Sequence, residues 1–294
     1  MINQAQYLKY MHASQFANWE AFESHVLTSS GLAFEKFIEL AFRTQNLSQA
    51  FALGYHYAIQ QLAPNLPTSQ WAAMCVTEPT GQHPKELRTL VTEQGVVNGY
   101  KSFITHGSKA GLLIVIARLP ESEIDIKSQL RAVLVVTQEN GPSFKRNAPL
   151  GILPDVYHGE ASFENVQGKL MPGDGHSDYS KPFRLIEDQC MVLSFTSHVL
   201  SKAHQLNLSQ SLQGQCLALL RDMYEVKVNL DAVETISLND KHQRFQKIAK
   251  LFESELDKNS AYGKQWCVDK KIFELADSAR QARLNKAWKN LKQQ

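Results

Sequence analysis

The chain has 294 residues, 43% of them apolar and 20% charged, which excludes the disordered and low-complexity classes and leaves room for two or three domains. Its 31 Lys and Arg against 29 Asp and Glu leave a net charge of +2, so no nucleic acid or anionic membrane is expected as a partner through bulk electrostatics. The four cysteines (Cys75, Cys190, Cys216, Cys267) are far apart with no Cys-x-x-Cys pair, a pattern of free thiols in a reducing compartment.

Up to about residue 62, apolar residues recur every three or four positions (Phe34, Phe37, Ile38, Leu40, Ala41, then Leu47, Phe51, Leu53, Tyr55, Ala58), which predicts helices. Pro64 and Pro67 each disfavour a helical residue before them, and they end a first domain at 1–68. From Trp71 to about Gly175 the period shortens to strand-like runs at 72–77, 89–93, 96–105, 112–118, 132–137 and 160–166. With short turns and no helix-length interval between them, these runs predict an antiparallel sandwich or barrel, a second domain at 69–178.

After Pro182 helical spacing returns, at 183–204, 242–257 and 266–291. Leu208, Leu212, Cys216, Leu219, Met223, Val226, Leu230, Val233 and Ile236 form one stripe on a single predicted helix over 208–236, suited to packing within the chain or against a second subunit. A third, helical domain is thus expected at 179–294. The fold class is α+β: an N-terminal helical segment, a central antiparallel β-sandwich or barrel, and a C-terminal helical bundle. No run reaches the roughly 18 apolar residues of a spanning helix, and the N-terminus carries no signal-peptide pattern, so a cytoplasmic location without a membrane span is expected.

Several motifs fail on inspection. Gly95-x-x-x-Gly99-Tyr100-Lys101-Ser102 has the wrong spacing for a phosphate loop and reads as the second arm of a hairpin. Gly173-Asp174-Gly175 lacks the third glycine and the preceding strand of a dinucleotide fingerprint and reads as a loop. The histidines show neither His-x-x-x-His nor His-Glu-x-x-His spacing, no Gly-x-Ser-x-Gly elbow exists, and no metal site is expected. Arg280, Arg283, Lys286, Lys289 and Lys292 drift about 60° per step around a helix, which spreads them over its circumference as a solvated helix end.

One constellation is more specific. Met74-Cys75-Val76-Thr77-Glu78-Pro79, then Val97-Asn98-Gly99-Tyr100-Lys101-Ser102-Phe103-Ile104-Thr105-His106-Gly107, then Ala110 to Arg118, resemble in order and spacing the middle β domain of the acyl-CoA dehydrogenase family. Leu150-Gly151-Ile152 and Ala161-Ser162-Phe163-Glu164-Asn165-Val166 look like that domain's later strands, and the resemblance covers about residues 45–205. It implies helices on either side of a central β domain and FAD as cofactor. It further implies an acyl-CoA thioester as substrate, oxidised between its α and β carbons, a homo-oligomer, and an electron-transfer partner. By the same resemblance Val76 and Thr77 meet the pyrimidine edge of the flavin through backbone and hydroxyl, Thr105 donates near N5, and Phe103 packs on the ring. Read as plain strand residues, Thr77 and Thr105 are β-branched formers and Phe103 is core.

The sequence also departs from the family pattern. Glu78-Pro79 is followed by Thr80-Gly81-Gln82-His83-Pro84, not by small residues and a Ser-Asp pair. The Arg-x-x-Phe-Gly motif is not found after residue 200, nor is the late Phe-Gly-Gly-x-Gly segment with its catalytic glutamate, and the C-terminal helical region is short. Some members carry the base on the first helix after the β domain, which here opens Pro182-Phe183-Arg184-Leu185-Ile186-Glu187-Asp188. Glu187 and Asp188 are therefore the candidate bases; as plain helix-start residues they would meet the positive end of the helix dipole. Neighbours on a helix point about 100° apart, so at most one can face a flavin. Two other readings stand beside the dehydrogenase one: a catalytically silent member serving as a binding or interaction protein, and a flavin monooxygenase-like relative.

Overall fold

The computed structural model describes residues 4–29, 32–120, 130–138, 141–147 and 150–293. The chain divides into two compact units: a helical one (Met1–Gln61, Leu150–Asp155 and Leu185–Gln294) and a β-rich one (Leu62–Pro149 and Val156–Arg184).

The helical unit opens with α1 (Gln4–Met11), α2 (Trp19–Thr28), α3 (Phe34–Phe42) and α4 (Leu47–Leu62). Residues 47–60 of α4 are buried without a break, as a helix surrounded by others must be. It packs on α5 (Lys181–Gln205), where the Ser194 hydroxyl donates to Ala50 O at 2.6 Å. At Gly54 a methyl group would stand 3.2 Å from Met191 Sδ and 3.3 Å from Cys190 O, so the missing side chain sets how closely the two helices approach.

The remaining helices are α6 (Gln210–Arg221), α7 (Ala232–Glu255), α8 (Ala261–Asp269), a 3₁₀ turn (Lys270–Phe273) and α9 (Asp277–Leu291). The single helix expected over 208–236 is broken between Arg221 and Ala232. Asp231 is the reason: its side chain accepts from Glu234 N while the Glu234 carboxylate accepts from Asp231 N, a capping box that starts a new helix. The break leaves Tyr224, Val228 and Val233 exposed, so the apolar stripe does not run on. Phe195, Phe245, Phe252, Trp266 and Phe273 form an aromatic core, with ring centroids 4.6–5.9 Å apart. Among the described residues no helix is long and apolar enough to cross a membrane.

In the β unit the strands are β1 (Ala72–Cys75), β2 (Leu90–Val91), β3 (Val96–Thr105), β4 (Leu112–Arg118), β5 (Leu130–Val136), β6 (Ser143–Arg146), β7 (His158–Gln167) and β8 (Lys169–Leu170). They form one sheet in the order β6-β7-β3-β2-β4-β5-β8, with β1 joined to β4. The expected α+β order along the chain stands, and most ladders are antiparallel. Two are not: β1 and β2 each pair parallel with β4, and direction is not written in the alternation of side chains. Gly95 sits in the turn of a β2–β3 hairpin and the rest of its segment, through Ser102, lies on β3, the second arm of that hairpin, as its residues suggest. The core of this unit gathers Ala73, Val91, Val97, Ile104, Leu113, Val115, Val133, Val135 and Phe163.

Candidate functional site

Two places in the chain carry the predicted site residues, one in each unit. In the β unit, β1 ends at Cys75 and the chain turns at Glu78, whose N–H and carbonyl exchange hydrogen bonds with Gly81 at 2.9 Å each. The strand β3 runs beside this turn: Ser102 N donates to Thr77 O at 2.8 Å. Lys101, one residue earlier, points inward. Its Nζ lies 2.6 Å from Glu78 Oε1 and 3.1 Å from Val76 O, with the lysine side chain 0% and the glutamate side chain 3% exposed. Glu78 also accepts from Arg88 N at 2.6 Å and Thr89 N at 3.1 Å. Burial alone would raise the Glu78 carboxyl, but the Lys101 charge and these donors outweigh it and hold it below its ordinary value. Burial likewise pulls the Lys101 ammonium down and pushes the Cys75 thiol up to about 12.

Strand β3 reaches the site through two bulges, where its register against β7 shifts between Val97 and Gly99 and again between Lys101 and Ile104. At the first, Gly99 has φ +145° and a Cβ there would lie 2.6 Å from Thr89 Cα, so only glycine fits. At the second, Phe103 takes φ +54°, a costly conformation for a bulky residue, and the residue is 58% exposed. Thr77 and Val76 are half-buried, and Thr105 is buried opposite His158. The four predicted cofactor residues therefore gather on one turn and the adjoining bulged strand. Phe103 is not core: the chain spends backbone strain to hold an aromatic ring outward.

The second place is α5. A π-helical turn (Gly175–Ser180) precedes it, with Asp174 accepting from His176 N at 2.9 Å and Ser177 N at 2.6 Å, so the Gly173-Asp174-Gly175 loop is a helix cap. Because α5 begins at Lys181, Pro182 lies in its first turn, while Glu187 and Asp188 fall about two turns in. The helix-start explanation for these two carboxylates does not hold. Asp188 is buried, its Oδ1 3.0 Å from Arg280 Nε and its Oδ2 hydrogen-bonded to Arg283. Arg280 also bonds Asp277 at 3.0 Å and Phe273 O at 3.1 Å. Two of the five C-terminal basic residues are thus ion-paired and half-buried, while Lys286, Lys289 and Lys292 are exposed as expected. Glu187 is half-buried, and its charge adds to burial in raising the Cys190 thiol well above its ordinary value.

Sequence reasoning missed the partners in both places. A lysine inside a strand whose Val97 and Ile104 are buried called for a carboxylate, and the Thr-Glu-Pro turn supplied one. Arg280 and Arg283 are three apart, close enough on a helix to share a face even though the longer run does not.

The model of the acyl-CoA dehydrogenase middle domain matches residues 73–166, which holds every predicted cofactor residue. No significant match is found among curated proteins. Among solved structures the chain resembles butyryl-CoA dehydrogenase from Megasphaera elsdenii, at 14% identity and a TM-score of 0.63, covering 98% of this chain and 99% of that one. It also resembles PigA with FAD and proline, at 10% identity and a TM-score of 0.68 over 97% of this chain and 98% of that one. A third likeness is to the prolyl acyl carrier protein oxidase AnaB, at 12% identity and a TM-score of 0.60 over 98% and 94%.

Proposed function

The chain has an acyl-CoA dehydrogenase-family fold, and from that premise we propose that it is an FAD-dependent oxidoreductase acting on an acyl-CoA thioester. The observation that carries this reading is Phe103, an apolar ring held outward at energetic cost beside Thr77 and Thr105, an arrangement that a flat aromatic cofactor would cover. The residues fit the isoalloxazine half of FAD. The carbonyls of Val76 and Thr77 are engaged within the chain, so these residues offer their N–H groups and the Thr77 hydroxyl, donors suited to the oxygen-rich pyrimidine edge. When bound, FAD supplies a two-electron acceptor for the β hydride. Glu187 is our assignment for removal of the α proton: Asp188 has each oxygen on a guanidinium, and accepting a proton there would break an ion pair. The same ion pairs favour one other reading, a silent member that keeps the fold for binding. A soluble homo-oligomer with a separate electron acceptor completes the proposal.

The test is reconstitution with excess FAD, followed by anaerobic mixing with a panel of acyl-CoA thioesters. A visible flavin band that bleaches with a thioester is expected, and Glu187→Gln should slow bleaching by about 10² to 10⁴. A flavin band that no thioester bleaches would establish the silent reading; absence of any band would remove the flavin as well.

A further inference from the structure

Lys101 takes no part in the chemistry proposed above, yet it is wholly buried, and a buried ammonium is costly unless its donors are used. The acceptors it reaches both belong to the turn that bears Thr77: Val76 O on one side of that residue and Glu78 Oε1 on the other. Glu78 is fixed in turn by the backbone of Arg88 and Thr89, and Thr77 O by Ser102 N. The peptide joining Val76 to Thr77 is planar and trans, so its carbonyl and its N–H point in opposite directions. With the carbonyl drawn inward to the Lys101 ammonium, the Thr77 N–H is turned away from the lysine.

We propose that Lys101 is a positioning residue for the flavin: by holding the Val76 carbonyl it aims the Thr77 N–H at the pyrimidine edge of the isoalloxazine. The inference rests on the flavin reading of the preceding section and adds to it a residue that touches neither cofactor nor substrate. A donor fixed in this way favours the reduced flavin, whose extra charge lies at that edge, so Lys101 sets the reduction potential as well as affinity. A purely structural pair would do neither. Replacing both partners with neutral side chains of similar size removes the buried charges together and restores much of the stability, while leaving the Val76 carbonyl unheld.

Lys101→Met and the double variant Lys101→Met/Glu78→Gln are compared with the parent for melting temperature without flavin, FAD affinity by titration of the flavin-free protein, and midpoint potential of the bound flavin. The expected result is a low melting temperature for the single variant and recovery in the double variant. FAD affinity should be about tenfold weaker in every folded variant, with a more negative midpoint potential. Parent affinity and potential in a folded variant would overturn the positioning role and leave the flavin reading intact. Failure of both variants to fold would overturn it in favour of a purely structural pair. A parent that binds no FAD would overturn both proposals.

Discussion

Each unit of the molecule holds one buried carboxylate against basic groups, and the two are built differently. In the β unit Glu78 faces a single ammonium with the pair closed from water, and backbone N–H groups supply the remaining donors. In the helical unit Asp188 faces two guanidiniums whose side chains are 14% and 23% exposed, so water shares the work. A closed pair gains little over apolar packing but is costly to break, because the survivor is left charged and dry; an open cluster can lose a member and let solvent in. The first arrangement holds a backbone in one orientation, and the second pins helix α9 to α5.

Single substitutions break this comparison most directly. Lys101→Met should lower unfolding stability by about 3–5 kcal/mol, read as a shift in denaturant midpoint at constant slope. Asp188→Asn keeps an acceptor for one arginine and should cost about 1–2 kcal/mol by the same measurement. Equal losses would mean that the two sites are not built differently. Asp231→Ala, which removes one of the helical unit's local anchors without touching a buried charge, should cost about 1 kcal/mol and fray the start of α7 in amide exchange.

Acid sharpens the contrast further. The folded Glu78 carboxyl titrates below its ordinary value near 4.5, so the unfolded chain takes up its proton first as pH falls. Its stabilising contribution is whole above that ordinary value and disappears as pH drops through the lower folded one. The acid limb of a stability–pH profile should therefore be shallower in Glu78→Gln than in the parent between those two values; identical limbs would refute the linkage.

How much of this was legible in the residues differs between the units. The strands of the β unit are short runs rich in apolar and β-branched residues bounded by turn residues, and 96–105 and 112–118 fall on β3 and β4 to the residue. The strands β6 and β8 escaped because Ser143–Arg146 is almost wholly polar or exposed and Lys169–Leu170 is two residues long. The α6–α7 break escaped for the opposite reason: apolar spacing continued through 222–231, although Asp231-x-x-Glu234 carried the signature of a helix start. At the site, Val76, Thr77, Phe103 and Thr105 were singled out by the resemblance to a known family; as a bare pattern they read as strand residues. The strain at Phe103 and the clasp of Lys101 on Val76 could not be read, since both depend on a bulge that shifts the strand's register.

The order of the elements also bears on how the protein is made. Helix α4 is enclosed by partners that include α5, and its contact at Gly54 needs Cys190, Met191 and Ser194. On a ribosome, at about 5–20 residues per second, the chain from Leu62 to Ala203 takes roughly 7 to 28 seconds to appear. For that interval the face of α4 that meets α5 has no native cover, although Tyr57 can already stack on Phe37 of α3, while all the strands of the β unit emerge and can pair. The α4 face that carries Gly54 is thus the stretch of the helical unit whose cover comes latest, since Cys190, Met191 and Ser194 are all made after the strands.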